Sequence, residues 1–75
     1  LLMERIGYWD AKRLVLARID QVIASLPPAE RNMPRVVVMG GAYSWTALRR
    51  EVEMDTPVGR SYVLQHARYL GYEVV

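Results

Sequence analysis

His66 is the only histidine in the chain, so any general-base chemistry at neutral pH would have to be built on it. A base needs a nucleophile within hydrogen-bond reach and a third group to orient it. Ser44 and Ser61 are the hydroxyls at hand, and neither spacing to His66 has a helical logic. Tyr62 precedes His66 by one helical turn and Leu70 follows it by one, so His66 reads as a partly buried structural residue. Glu51 and Asp55 are four apart, and like charges at that spacing repel unless Arg49 or Arg50 intervenes. They read as a solvated charged surface. The chain has no cysteine, which excludes disulfides and thiolate zinc sites, and one histidine cannot anchor a histidine-rich metal site. The run MGGAYSW places two glycines between an apolar stretch and a helix, as phosphate-binding turns do. It lacks the following lysine and the spacing of either nucleotide fingerprint. The sequence therefore gives no catalytic residue, no metal ligand set and no cofactor, and the expectation is a protein that is not an enzyme.

The composition sets the frame for these residues. Seventy-five residues make one domain, spanning 1–75. A domain of this size buries roughly 60% of the surface its unfolded chain exposes. Without disulfide or metal, its stability must come from very good packing or from a partner chain. The hydrophobic fraction is 52%, with five Tyr, two Trp and no Phe. Tyr and Trp carry a polar tip on an apolar body, which suits half-buried positions and interfaces. The formal net charge is +2, and nine of the ten basic residues are Arg. Arg favours planar recognition of phosphate and carboxylate, but so small an excess permits nucleic-acid binding without requiring it. No apolar run approaches the roughly 18 residues needed to cross a bilayer, so no membrane association is expected. The opening LLMERIGYWDAKR has no basic leader followed by an apolar block. With no cysteine either, the expected compartment is the cytoplasm.

The elements follow from periodicity and punctuation. Residues 1–8 are apolar but interrupted by Gly7, and are expected to be frayed or packed on a partner. Residues 9–26 carry the clearest helical pattern: Val15, Ile19, Val22 and Leu26 form a line with Leu16 and Ile23 beside it. Asp10 is the expected N-cap. Leu14 falls off this stripe and implies contact on a second face. Pro27 and Pro28 end the helix, and 27–34 reads as a linker. Arg35–Met39 is a β-branched apolar run, expected to be a strand buried on both faces. Gly40-Gly41 suits a two-residue hairpin turn leading to Ala42-Tyr43. Ser44 is placed to cap a helix from Trp45 to about Met54, with Trp45, Leu48 and Val52 on one side. Thr56 as N-cap and Pro57 at the first helical position start the last helix, which Gly71 ends in a left-handed cap. Tyr72–Val75 returns to β character and is expected to pair with Val36–Met39. The fold class is α+β in the order α-β-β-α-α-β, three helices packed on a small sheet, with 35–75 as the organising unit.

Two binding readings follow, from different classes. In the first, the chain is a protein-interaction module, self-associating or part of a larger assembly. Its apolar and aromatic content exceeds what a small core can hide, and Leu14, Leu64, Tyr69 and Tyr72 are the surplus, with the first residues of the chain. Leu64 lies between Arg60 and Arg68 on the polar side of the last helix, an apolar centre with a hydrogen-bonding rim. In the second, the helix pair and closing strand of 44–75 resemble a helix-turn-helix with part of a wing. That likeness implies DNA as partner, with Val58, Tyr62, Val63, Ala67 and Leu70 facing inward. Arg60, Ser61, Gln65 and Arg68 would then face the major groove, residue types that read base edges or hold phosphate. The acidic Glu51, Glu53 and Asp55 just ahead of that helix oppose it.

Overall fold

The computed structural model describes residues 3–75. Its order is β1 (Glu4–Ile6), α1 (Tyr8–Ser25), a 3-10 turn (Pro28–Glu30), β2 (Val36–Val38), β3 (Gly41–Tyr43), α2 (Trp45–Glu53), α3 (Pro57–Tyr69) and β4 (Tyr72–Val74). The α+β class and the expected succession of helices and strands are as the sequence indicates, with one additional strand at the front.

The strand pairing differs from expectation. The described residues form two separate two-stranded sheets. β4 pairs in parallel with β1, with Glu4 opposite Tyr72 and Ile6 opposite Val74. Residues 4–6 are thus not frayed; the chain's own last strand holds them. Leu1 and Leu2, part of the same expectation, lie outside the described residues. β2 pairs with β3 as an antiparallel hairpin, not with β4. Val37 points outward at 69% exposure while Val38 is buried, so β2 is covered on one face only. The hairpin's two central residues are Met39 and Gly40, both at positive φ (52° and 79°), one position earlier than the glycine pair suggests. Two positive φ values match the right-handed strand twist, as in a type I′ turn.

The helix boundaries follow local chemistry. Ser44 Oγ accepts from the Ala47 amide at 3.1 Å and Thr56 Oγ1 from the Gly59 amide at 3.1 Å. Each satisfies an amide that the first helical turn leaves without a partner. Pro57 occupies the first turn of α3, and Gly71 takes φ +96° after it. The cap of α1 is a correction: Gly7 is its N-cap without a side-chain bond, and Asp10 lies inside the first turn, where it complements the helix dipole.

The core lies where the three helices meet. Ala11, Val15, Ile19, Leu48, Val52 and Val63 are fully buried, with Val38, Tyr62 and Ala67 close to it. Burial of each larger apolar side chain contributes about 1.5–3 kcal/mol. Val22 and Leu26, on the expected stripe, are only half-buried, because the stripe leaves the core towards the C-terminus of α1. The linker is anchored: Thr46 Oγ1 donates to the Arg31 carbonyl at 2.8 Å or to Asn32 Oδ1 at 2.9 Å, since one hydroxyl proton serves one acceptor at a time.

Lys12 is the buried charge of the fold. Its Nζ donates to Asp55 Oδ2 and to the Glu53 carbonyl, both at 3.0 Å, and lies 5.0 Å from the Trp9 ring centre. Asp55 has φ +55°, a left-handed conformation that Asp tolerates better than most residues. This ties α1 to the turn between α2 and α3. The counter-charge for Asp55 is therefore Lys12, not Arg49 or Arg50; Arg49 instead bridges Asp20 on α1 at 2.6 Å and Glu53 at 2.7 Å.

Candidate interaction surface

The outer face of α3 is built by helical spacing. Gly59, Tyr62, Val63 and Ala67 turn into the core, which leaves Arg60, Leu64, Gln65 and Arg68 exposed and Ser61 half-buried. Arg60 and Arg68 have no carboxylate partner within 4 Å among the described residues. Arg60 instead lies over the Tyr8 ring, 5.2 Å from its centre, in a cation–π contact with α1. Tyr8 donates to Asp55 Oδ1 at 3.2 Å, and burial followed by that carboxylate raises its phenol above the usual value.

Leu64 and Arg68 share a hollow with Met3, Glu73 and Val74, so α3 and the β1–β4 sheet form one continuous surface. Leu64 is 45% exposed, and Met3 and Val75 are also exposed. Glu73 on β4 adds an acid to the rim opposite the basic Arg68. Met3, Glu73 and Val74 were not legible as site residues, because only the parallel β1–β4 pairing brings them beside α3.

The remaining candidates separate. Leu14 is exposed, as expected, but lines another hollow with Ile6, Asp10 and Arg13. Tyr72 is half-buried and packs against the core. Leu70, assigned to the inward side of α3, is 41% exposed, because the helix ends before that position reaches the core. Tyr69 is exposed at 83% and stacks on His66 with ring centres 5.7 Å apart.

His66 has the environment of a structural residue. Its ring lies between Tyr62 and Tyr69, 5.4 Å from the Tyr62 ring centre, and Nδ1 is 3.4 Å from the Tyr62 hydroxyl. Nε2 is buried without a hydrogen-bond partner among the described residues. Burial, with the nearby Arg18 charge, holds the imidazole below its usual value, so it is neutral at pH 7. Its hydrogen-bonding neighbour is thus a tyrosine rather than Ser44 or Ser61, and Ser44 is occupied as a cap.

The helix pair joins through Met54-Asp55-Thr56, as a helix-turn-helix would. The strand after α3 does not form part of a wing: it pairs in parallel with β1. Each of the three acids ahead of α3 has an internal contact, Glu51 with the Thr56 hydroxyl at 2.8 Å, Glu53 with Arg49 and Asp55 with Lys12.

No group of three or more potential metal-ligating side chains occurs among the described residues, and no described helix is long and apolar enough to cross a membrane. Comparison with protein-family models, with curated proteins and with solved structures returned no match.

Proposed function

We propose that this chain is a non-enzymatic protein-interaction module, docking to another subunit or to its own copy through the outer face of α3 and the adjoining edge of the β1–β4 sheet. The observation that carries this reading is the hollow in which exposed Leu64 meets Met3 and Val74 between Arg68 and Glu73. An apolar centre within a charged rim is the anatomy of a contact patch. Arg68 and Glu73 are of opposite sign on one patch, the arrangement a two-fold contact between identical surfaces uses. The test is sedimentation velocity and partner capture with the wild-type chain and Leu64→Asp. The variant should lose association while keeping the wild-type circular dichroism spectrum. Unchanged association in a folded Leu64→Asp chain would place the contact elsewhere.

A second reading rests on a different observation: Arg60 and Arg68 are exposed, with no carboxylate within 4 Å among the described residues, on the same face as Ser61 and Gln65. In that reading α3 holds duplex DNA. Fluorescence anisotropy with mixed-sequence duplex should show micromolar binding that weakens steeply with salt, and the double variant Arg60→Ala/Arg68→Ala should flatten that dependence. Absence of binding at low salt would retire it.

A further inference from the structure

A second feature lies on the other flank of α3, away from Leu64. Tyr62, His66 and Tyr69 form a column of rings along that helix, with neighbouring ring planes inclined by only 18° and 29°. Trp45 from α2 closes one side, edge-on to Tyr62 with ring centres 6.5 Å apart. Arg18 from α1 and Gln65 complete a cleft of about 380 Å3. Two helices thus contribute aromatic rings and an amide, and the third a cation, to a single concavity.

Several features of this cleft define what it would hold. Tyr69 stacks on His66 yet keeps most of its surface exposed, so its ring is open to a further stacking partner. Arg18 has no carboxylate within 4 Å among the described residues; its side-chain contact is the Gln21 amide oxygen at 3.4 Å. Among the described residues no acid lines the cleft, which disfavours the quaternary ammonium and methyl-lysine ligands that aromatic cages usually take. His66 is neutral, so Arg18 is the cleft's cation. One guanidinium fork matches one carboxylate in charge and in planar geometry. The volume lies at the small end of ligand pockets.

We propose that the cleft between α1, α2 and α3 binds a small planar aromatic monocarboxylate, its ring stacked against Tyr69 and its carboxylate held by Arg18. This cleft shares no residue with the Leu64 hollow.

The test uses the full chain, isotope-labelled, titrated with 1-naphthoate and followed by NMR. Saturable shifts should cluster at Arg18, Trp45, Gln65, His66 and Tyr69, with affinity in the millimolar range or tighter. Cyclohexanecarboxylate keeps the charge without the flat ring, and 1-naphthalenemethanol keeps the ring without the charge. Both should bind at least about tenfold more weakly. Arg18→Gln should weaken naphthoate about tenfold and leave naphthalenemethanol unchanged, while Arg50→Gln alters neither. The proposal is overturned by no saturable shift at these residues, by equal binding of the non-planar acid, or by unchanged naphthoate affinity in a folded Arg18→Gln chain. Tyr69→Ala gives a second check: Tyr69 is exposed, so its loss should spare the fold and remove the preference for the planar acid.

Discussion

Gly59 of α3 lies directly against the backbone of Glu51 in α2: a Cβ at this position would overlap the Glu51 carbonyl and come within 2.6 Å of the Val52 amide nitrogen. The glycine is what allows the two helices to approach so closely that Leu48, Val52 and Val63 become fully buried. Gly59→Ala should destabilise the domain by about 3 kcal/mol or more, because helix backbones cannot step aside as a flexible side chain can. Gly71→Ala meets open space and should cost only the left-handed backbone term, about 1–2 kcal/mol. Urea denaturation of the two variants measures the difference.

Met39 carries a stabilising opportunity. It holds φ +52° in the hairpin turn and is 67% exposed. Asparagine accepts this conformation readily, and Asn followed by Gly40 is the preferred pair for such a turn. Met39→Asn should gain about 1 kcal/mol and raise the melting temperature by about 4–8 °C. A lower melting temperature would mean that Met39 packs better than its exposure indicates.

Asp55 links acid stability to the Lys12 contact. The hydrogen bond from Lys12, with a smaller one from Tyr8, holds the Asp55 carboxyl below its ordinary value of 3.8. A carboxyl depressed by folding stabilises the native state above its unfolded value, and that stability is lost as pH falls through the folded value. Asp55→Asn keeps the left-handed backbone tolerance and removes the charge. It should be less stable than wild type at pH 7, and the two stability curves should converge as pH falls below about 4. A residual acid slope should persist in the variant, because the Arg49 hydrogen bond depresses Asp20 in the same direction.

His66 sets a separate window at higher pH. Burial first, and then Arg18, lowers its value in the folded chain below the ordinary 6.5. The unfolded chain therefore takes up the proton first, and stability falls as pH drops from 7 through 6.5 towards the lower folded value. His66→Phe retains a flat ring between Tyr62 and Tyr69 but cannot titrate. Its stability should stay level between pH 7 and pH 5, where wild type declines; parallel curves would assign the decline to other groups.

The parts of this fold that are legible in the sequence are those that depend on neighbours in the chain. Ser44, Thr56 with Pro57, and Gly71 mark helix ends because a cap acts within one helical turn. The Val15 and Ile19 stripe and the Leu48 and Val52 pair likewise follow from spacing alone. The rest needed contacts across the chain. Two three-residue strands near opposite ends carry no signal that they pair in parallel with each other. Lys12 is buried only because Asp55 waits on another element, and a lone lysine in a helix gives no hint of that. Gly59 looks like a weakness in a helix until Glu51 is placed against it. The outward positions of Leu64, Gln65 and Arg68 on α3 were legible from helical spacing, whereas their neighbours Met3 and Val74 were not.

The parallel β1–β4 pair also fixes how this domain would respond to tension. Glu4 lies opposite Tyr72 and Ile6 opposite Val74, and the Val75 amide donates back to the Ile6 carbonyl at 2.9 Å. Strands that run the same way, pulled from the front of one and the back of the other, slide along their length. The hydrogen bonds between them then carry the load together in shear instead of opening one after another like a zipper. A force applied across the two ends meets this clamp before it reaches the helices.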